Sequence, residues 1–244
     1  MKTDIHASQD AAVADLVGAG QVRIGMFSPH YIKNATTGEL KGWGVDLALA
    51  LAARMGVEAR PVEYPGPDKL LEGLNADACD AGFLVNSPAW ANAVDYSQPF
   101  LQQDFTFLLP PGSSIRSIAD VDRPEVRIAV VRHHASTLEL ARMLRQAKMV
   151  SNDTLQGAFE SLRDGQTNAF ASTRPQLLED STRLPGSAVL EDRYGVVFSV
   201  MGVTKGRSAR LAYINEFLRH AKASGLVQRA FDRAGWRGVH MVYP

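Results

Sequence analysis

The chain is poor in cysteine, in charge of either sign to excess, and in repeated sequence. Cys79 is the one cysteine in 244 residues. A lone thiol excludes an internal disulfide and a cysteine-based zinc site. It stands in ACDAGFL, residues 78–84, an apolar-leaning stretch with nothing to lower its pKa, so it reads as a buried structural thiol rather than a nucleophile. Lys plus Arg and Asp plus Glu each number 26, for a formal net charge of zero. With no basic surplus and no DNA- or RNA-binding motif, nucleic acid is not an expected partner. The first twenty residues, MKTDIHASQDAAVADLVGAG, hold no long apolar run and read as neither a secretory leader nor a membrane anchor. Either a leader has been removed, or the protein is never exported and is cytoplasmic. No Ser-His-Asp order, P-loop or glycine-rich dinucleotide fingerprint occurs.

What is present is ordinary globular material, 45% hydrophobic and 21% charged, in which β-branched runs alternate with amphipathic stretches. That alternation predicts an α/β fold with mostly parallel strands. A first βαβαβ unit is predicted from strands at 22–27, 57–64 and 80–85 and helices at 44–55 and 68–74. In the first helix Val45, Ala48, Leu49 and Ala52 form one apolar stripe, and Gly56 closes it. A second unit is predicted from VRIAVV at 126–131, a helix at 136–147, a helix from 155 capped by Asp153, a strand at 168–172 and a helix opening at Arg174-Pro175. DFTFLL at 104–109 and VVFSVMGVT at 196–204 bracket this second unit, and two helices follow at 211–218 and 226–234. An inserted second unit implies two chain crossings, which make a hinge that permits closure around a ligand. The expected organisation is an N-terminal extension at 1–21, one lobe from 22–104 and 204–244, and a second lobe from 105–203.

Four segments in order carry a resemblance. They are GELKGWGVDLALALA at 38–52, VDYSQPF at 94–100, SIRSIADVD at 114–122 ahead of VRIAVV, and YGVVFSVMGVTKG at 194–206. Together they resemble the amino-acid-type solute-binding proteins of ABC importers, family 3, with order and spacing held from about Val22 to Gly235. The resemblance implies a two-lobed type II periplasmic-binding-protein fold, each lobe a mostly parallel sheet flanked by helices, joined by two hinge strands. It implies a monomer that delivers a small solute to an ABC permease, without metal or cofactor. Trp43, Asp46 and Asp95 fall in these motifs and are expected to be structural.

The same resemblance implies a departure. Amino-acid-binding members place an arginine a few residues before the Val-Asp-Phe-Ser motif to clamp the α-carboxylate, a task for a planar guanidinium. Counting back from Val94, that position is Trp90. The aspartate that holds the α-ammonium corresponds to Thr173. Desolvating a zwitterion without either countercharge costs several kcal/mol, so the expected ligand is a small, anionic organic solute that is not an α-amino acid. Arg132 and Arg174 are the candidate replacement clamps. The other expected ligand contacts follow strand carboxyl ends, where open α/β sheets bind ligands. They are Ser28, His30 and Tyr31, then Asn86 and Trp90. His134, Ser136 and Thr137, at a helix N-terminus, make the expected anion site. A cyclohexadienyl-dehydratase-like lyase is the enzyme alternative, with Glu191 and Asp192 as its only candidate acids. A ligand-sensing module without a transport role is the third.

Overall fold

The computed structural model describes residues 20–243. The expected N-terminal extension and the reading of its leader lie outside these residues, apart from 20 and 21. The chain forms two compact units. Unit 1 takes the residues up to Leu101, Phe198–Trp236 and those from Met241, and unit 2 takes Gln102–Val197 and Arg237–His240.

In unit 1 the strands are β1 (Gln21–Met26), the short pair β2 (Ile32–Lys33) and β3 (Leu40–Lys41), β4 (Glu58–Glu63), β5 (Ala81–Val85) and β6 (Val94–Tyr96). Strand β1 pairs in parallel with both β4 and β5. Antiparallel to β5 and β6 runs β12 (Gly195–Thr204). Its helices are α1 (Trp43–Met55), α2 (Pro67–Asn75), α6 (Ser208–Ala223) and α7 (Leu226–Arg233).

Helix α1 ends as expected on Gly56, whose left-handed backbone directs its N–H to the carbonyls of Ala52 and Ala53. Its buried stripe differs from the expected one. Leu49 is exposed, and Leu47 and Leu51 join Val45, Ala48 and Ala52 inside. Trp43 is buried, stacked on Phe231 at 4.7 Å and edge-on to Phe83 and Trp236. Cys79 lies fully buried beside Leu70 and Leu74, and burial pushes its thiol pKa up.

In unit 2 the strands are β7 (Leu101–Leu109), β8 (Arg127–Val131), β9 (Lys148–Asn152), β10 (Ala169–Thr173), β11 (Ala188–Val189) and β13 (Val239–Met241). Strands β9, β8 and β10 run parallel, β7 lies antiparallel to β10, and β11 and β13 both pair with β7. The helices are α3 (Ala135–Met143), α4 (Leu155–Arg163) and α5 (Arg174–Thr182). The sheet buries Ile128, Val130, Ala169, Ala171 and Phe107 on one face and Ala129, Phe170 and Leu108 on the other, as strands covered on both sides require. The cap of α4 is Thr154, whose Oγ1 accepts from the Gly157 amide, and not Asp153.

Candidate ligand-binding site

Three parallel strands in each unit bring their carboxyl ends to one edge, and the expected site residues follow those ends. In unit 1 these are residues 28–31 after β1 and 86–90 after β5. Ser28 is exposed, joined to Pro29 by a cis peptide bond. Tyr31 is half-buried. Burial, with a hydrogen bond to Glu63 at the end of β4, pushes its phenol pKa up. Lys33 also binds Glu63, at 2.7 Å. Asn86 is exposed and pairs with Phe198, donating its amide to the Phe198 carbonyl and accepting the Phe198 amide on Oδ1. Trp90 ends a short 3-10 turn (Pro88–Trp90) and packs half-buried against the cluster of Leu70, Leu74 and Val94.

His30 is a correction. It is only 8% exposed, with ring centroids of Phe27, Trp43 and Phe83 at 4.2, 4.9 and 5.9 Å. It belongs to the aromatic core, and burial lowers its pKa to about 3. It is therefore neutral and offers no wall to a solute.

In unit 2 residues 132–137 follow β8, Thr173 ends β10 and Arg174 follows it. At the start of α3, where the anion site was expected, the Ser136 and Thr137 hydroxyls and amides bond within the chain. His134 caps the helix, its Nδ1 accepting the Ser136 amide at 3.3 Å and lying 2.7 Å from Ser136 Oγ. Thr137 Oγ1 donates to the Val131 carbonyl at 2.7 Å. Ser136 is completely buried, and burial lowers the His134 pKa to about 4, which keeps it the neutral acceptor this cap needs. The left-handed residue of this turn is His133, with φ 61°.

The two candidate clamps differ. Arg174, its side chain 11% exposed, gives Nη1 to the Leu190 carbonyl at 3.0 Å and Nη2 to the Glu191 carbonyl at 2.7 Å. Its Nε lies 3.5 Å from Asp104. This guanidinium is engaged within unit 2. Arg132 is 57% exposed and meets Asp153, after β9, at 3.1 Å. Asp153 is 83% exposed, and such a surface pair is weak enough to exchange partners. Thr173 precedes α5 without a side-chain capping bond.

Asp104 was not among the expected residues. It is a buried carboxylate on β7 that receives Gln102 Nε2 and Arg193 Nη1, both at 3.1 Å, with His240 Nε2 at 3.6 Å. Burial pushes its pKa up, but the hydrogen bonds from Gln102 and Arg193 and the charges of Arg193 and His240 outweigh this and hold it below the usual carboxylate range. An acid heading an otherwise apolar strand was the available signal. Glu191 is exposed, and Asp192 Oδ2 accepts the Ile118 amide at 3.2 Å, so the candidate acids serve no common point. A cavity of about 240 Å³ opens in unit 2 at the opposite, amino ends of β8 and β10. It is lined by Pro111, Asp120, Arg123 and Asn168 among others, and it includes none of these site residues. Among the described residues no group of three or more His, Cys, Asp or Glu could hold a metal ion, and no helix is long and apolar enough to cross a membrane.

Solved structures similar to this chain share its fold. One is described as the ancestral amino acid-binding protein AncCDT-1, a precursor of cyclohexadienyl dehydratase. It is 22% identical with a TM-score of 0.75, covering 91% of this chain and 97% of its own. A putative ABC-transporter binding component from Wolinella succinogenes DSM 1740, complexed with lysine, is 22% identical with a TM-score of 0.78, covering 90% and 96%. A solute receptor for L-cysteine from Neisseria gonorrhoeae is 21% identical with a TM-score of 0.75, covering 91% and 92%. No curated protein sequence matches the chain. The sequence profile of the bacterial extracellular solute-binding proteins, family 3, matches residues 23–235. With that match over nearly all of its length, and with the two-lobed type II fold of its structural neighbours, the chain belongs to the bacterial extracellular solute-binding proteins, family 3.

Proposed function

We propose that this protein captures a small organic acid lacking an α-amino group and hands it to an ABC permease. The observation that carries the reading is the state of Arg174. Trp90 stands at the family's clamp position, and half-buried Arg174, next to Thr173 in the chain, is bound to two backbone carbonyls and lies beside Asp104. Neither countercharge of a zwitterion is then supplied by its usual residue. Arg132 replaces the start of α3 as the proposed anion contact, because an incoming carboxylate can displace exposed Asp153.

One observation favours a second reading. Arg132 and Asp153 form an exposed pair of opposite charges at adjacent strand ends, able to take the carboxylate and ammonium of an amino acid. A thermal-shift screen separates the two. One panel holds the α-amino acids, the other small organic and aromatic carboxylates without an amino group. A ligand at a hundredfold over its dissociation constant adds about 2.7 kcal/mol, on the order of 5–10 °C for a chain of this size. Stabilisation only by the second panel, lost in Arg132→Ala, is the expected result. A shift with an amino acid that disappears in Asp153→Asn overturns the first reading in favour of the second.

A further inference from the structure

We infer that β9, the edge strand of the sheet in unit 2, is a pairing surface for a second copy of this chain, joined antiparallel across a two-fold axis at Val150. Among the described residues β9 pairs with β8 alone, in parallel, and no strand lies along its other side. In such a ladder alternate residues turn both backbone groups toward the same neighbour. Lys148 gives its amide to the Val126 carbonyl, and the Asn152 carbonyl accepts the Arg132 amide, both at 2.9 Å. Lys148, Val150 and Asn152 therefore face β8, while Met149 and Ser151 turn their N–H and C=O groups outward. This outward row is bounded at both ends. Ala147, the preceding outward residue, gives its amide to Asp122 at 2.9 Å. Beyond Asn152 the chain turns into α4, capped by Thr154.

Edges of this kind are usually blunted by proline, by charge or by a covering element. Strand β9 has no proline, Lys148 is its single charge, and Met149 is 40% exposed. The occupant that fits it is another β9. Turned antiparallel about Val150, Met149 of each copy lies opposite Ser151 of the other, and the four outward amides and carbonyls on those residues pair completely. Val150 meets its own counterpart as a close non-hydrogen-bonded pair, apolar against apolar. Lys148 falls opposite Asn152 of the second copy, one residue from Asp153, whose carboxylate is 83% exposed. A parallel arrangement would instead set the two lysines side by side and repel. The two-fold contact is self-complementary and closes on a dimer. One short strand buries little area, so the association is weak and depends on concentration. It departs from the monomer that the family resemblance implies.

Sedimentation of the full chain from about 1 µM to about 1 mM spans weak association and tests this together with residue-resolved amide exchange by nuclear magnetic resonance. The average mass is expected to rise toward that of a dimer. Over the same range the Met149 and Ser151 amides slow, while Val150, already bonded to β8, does not change. Met149→Pro removes an outward amide and leaves the ladder to β8 whole. Lys148→Glu sets an acid beside Asp153 of the second copy. Each is expected to weaken the dimer at least about tenfold. A chain that stays monomeric at every concentration overturns the inference. So does a dimer in which Met149 and Ser151 exchange freely, or one that folded Met149→Pro leaves intact. If Met149→Pro does not fold, Lys148→Glu, at an exposed position, decides in its place.

Discussion

His30 was expected beside a solute and instead sits among Phe27, Trp43 and Phe83. Its consequence is a dependence of stability on acid. Burial holds the folded pKa at about 3, below the ordinary histidine value near 6.5. Between these values the unfolded chain holds a proton that the folded chain does not, so stability is complete above about pH 6.5 and falls as pH drops. His134, held at about 4 by burial, acts in the same sense over a narrower window. Each contributes a loss of about 2 kcal/mol between pH 7 and pH 5. Urea unfolding at the two pH values is expected to find His30→Phe less acid-sensitive than the native chain by about that amount. An identical acid slope would mean that His30 takes up a proton in the folded state.

At the scale of elements, the start of α1 fixes the loop that carries Ser28 and Tyr31. Gly44 donates its amide to the His30 carbonyl at 3.0 Å, and a Cβ on Gly44 would lie 2.9 Å from that same oxygen. Gly44→Ala must therefore push residues 28–31 away, at a cost of about 1–3 kcal/mol. The expected result is a lower melting temperature with faster amide exchange confined to residues 27–31 and the first turn of α1. The glycine-aromatic-glycine opening of this helix was legible in the sequence, as were the buried strands, whose apolar runs leave little choice. The end of α3 was not. A helix was expected to residue 147, but α3 stops at Met143, and β9 begins at Lys148. The cause is Asp122, whose carboxylate accepts the amides of Arg145, Gln146 and Ala147 from more than twenty residues away. No local pattern announces such a cap. The same distance hid the site corrections. Loops at strand ends were readable as candidates, but the carbonyls of Leu190 and Glu191 that occupy Arg174 belong to a remote segment.

At the scale of the whole molecule, Arg174 offers a way to perturb one unit and watch the other. Trp43, Trp90 and Trp236 are the three tryptophans, and all belong to unit 1. Indole fluorescence thus follows unit 1, while far-ultraviolet circular dichroism follows both. Arg174 lies in unit 2, where its guanidinium joins the start of α5 to residues 190–191 and its Nε faces Asp104. Arg174→Ala leaves that buried carboxylate short of a partner and strips two carbonyls of theirs, for a loss on the order of 3 kcal/mol. If the continuous strands β7 and β12 couple the units fully, the loss is shared, and both signals shift together to lower urea. If the coupling is weaker than the loss, unit 2 unfolds first, and the dichroism transition precedes the fluorescence transition. We expect the second outcome. The Arg174 contacts all lie inside unit 2, and the aromatic cluster around Trp43 draws its rings from unit 1 alone. Coincident transitions in the native chain that separate in Arg174→Ala would place the coupling free energy below the cost of the substitution. Coincidence in both would place it above.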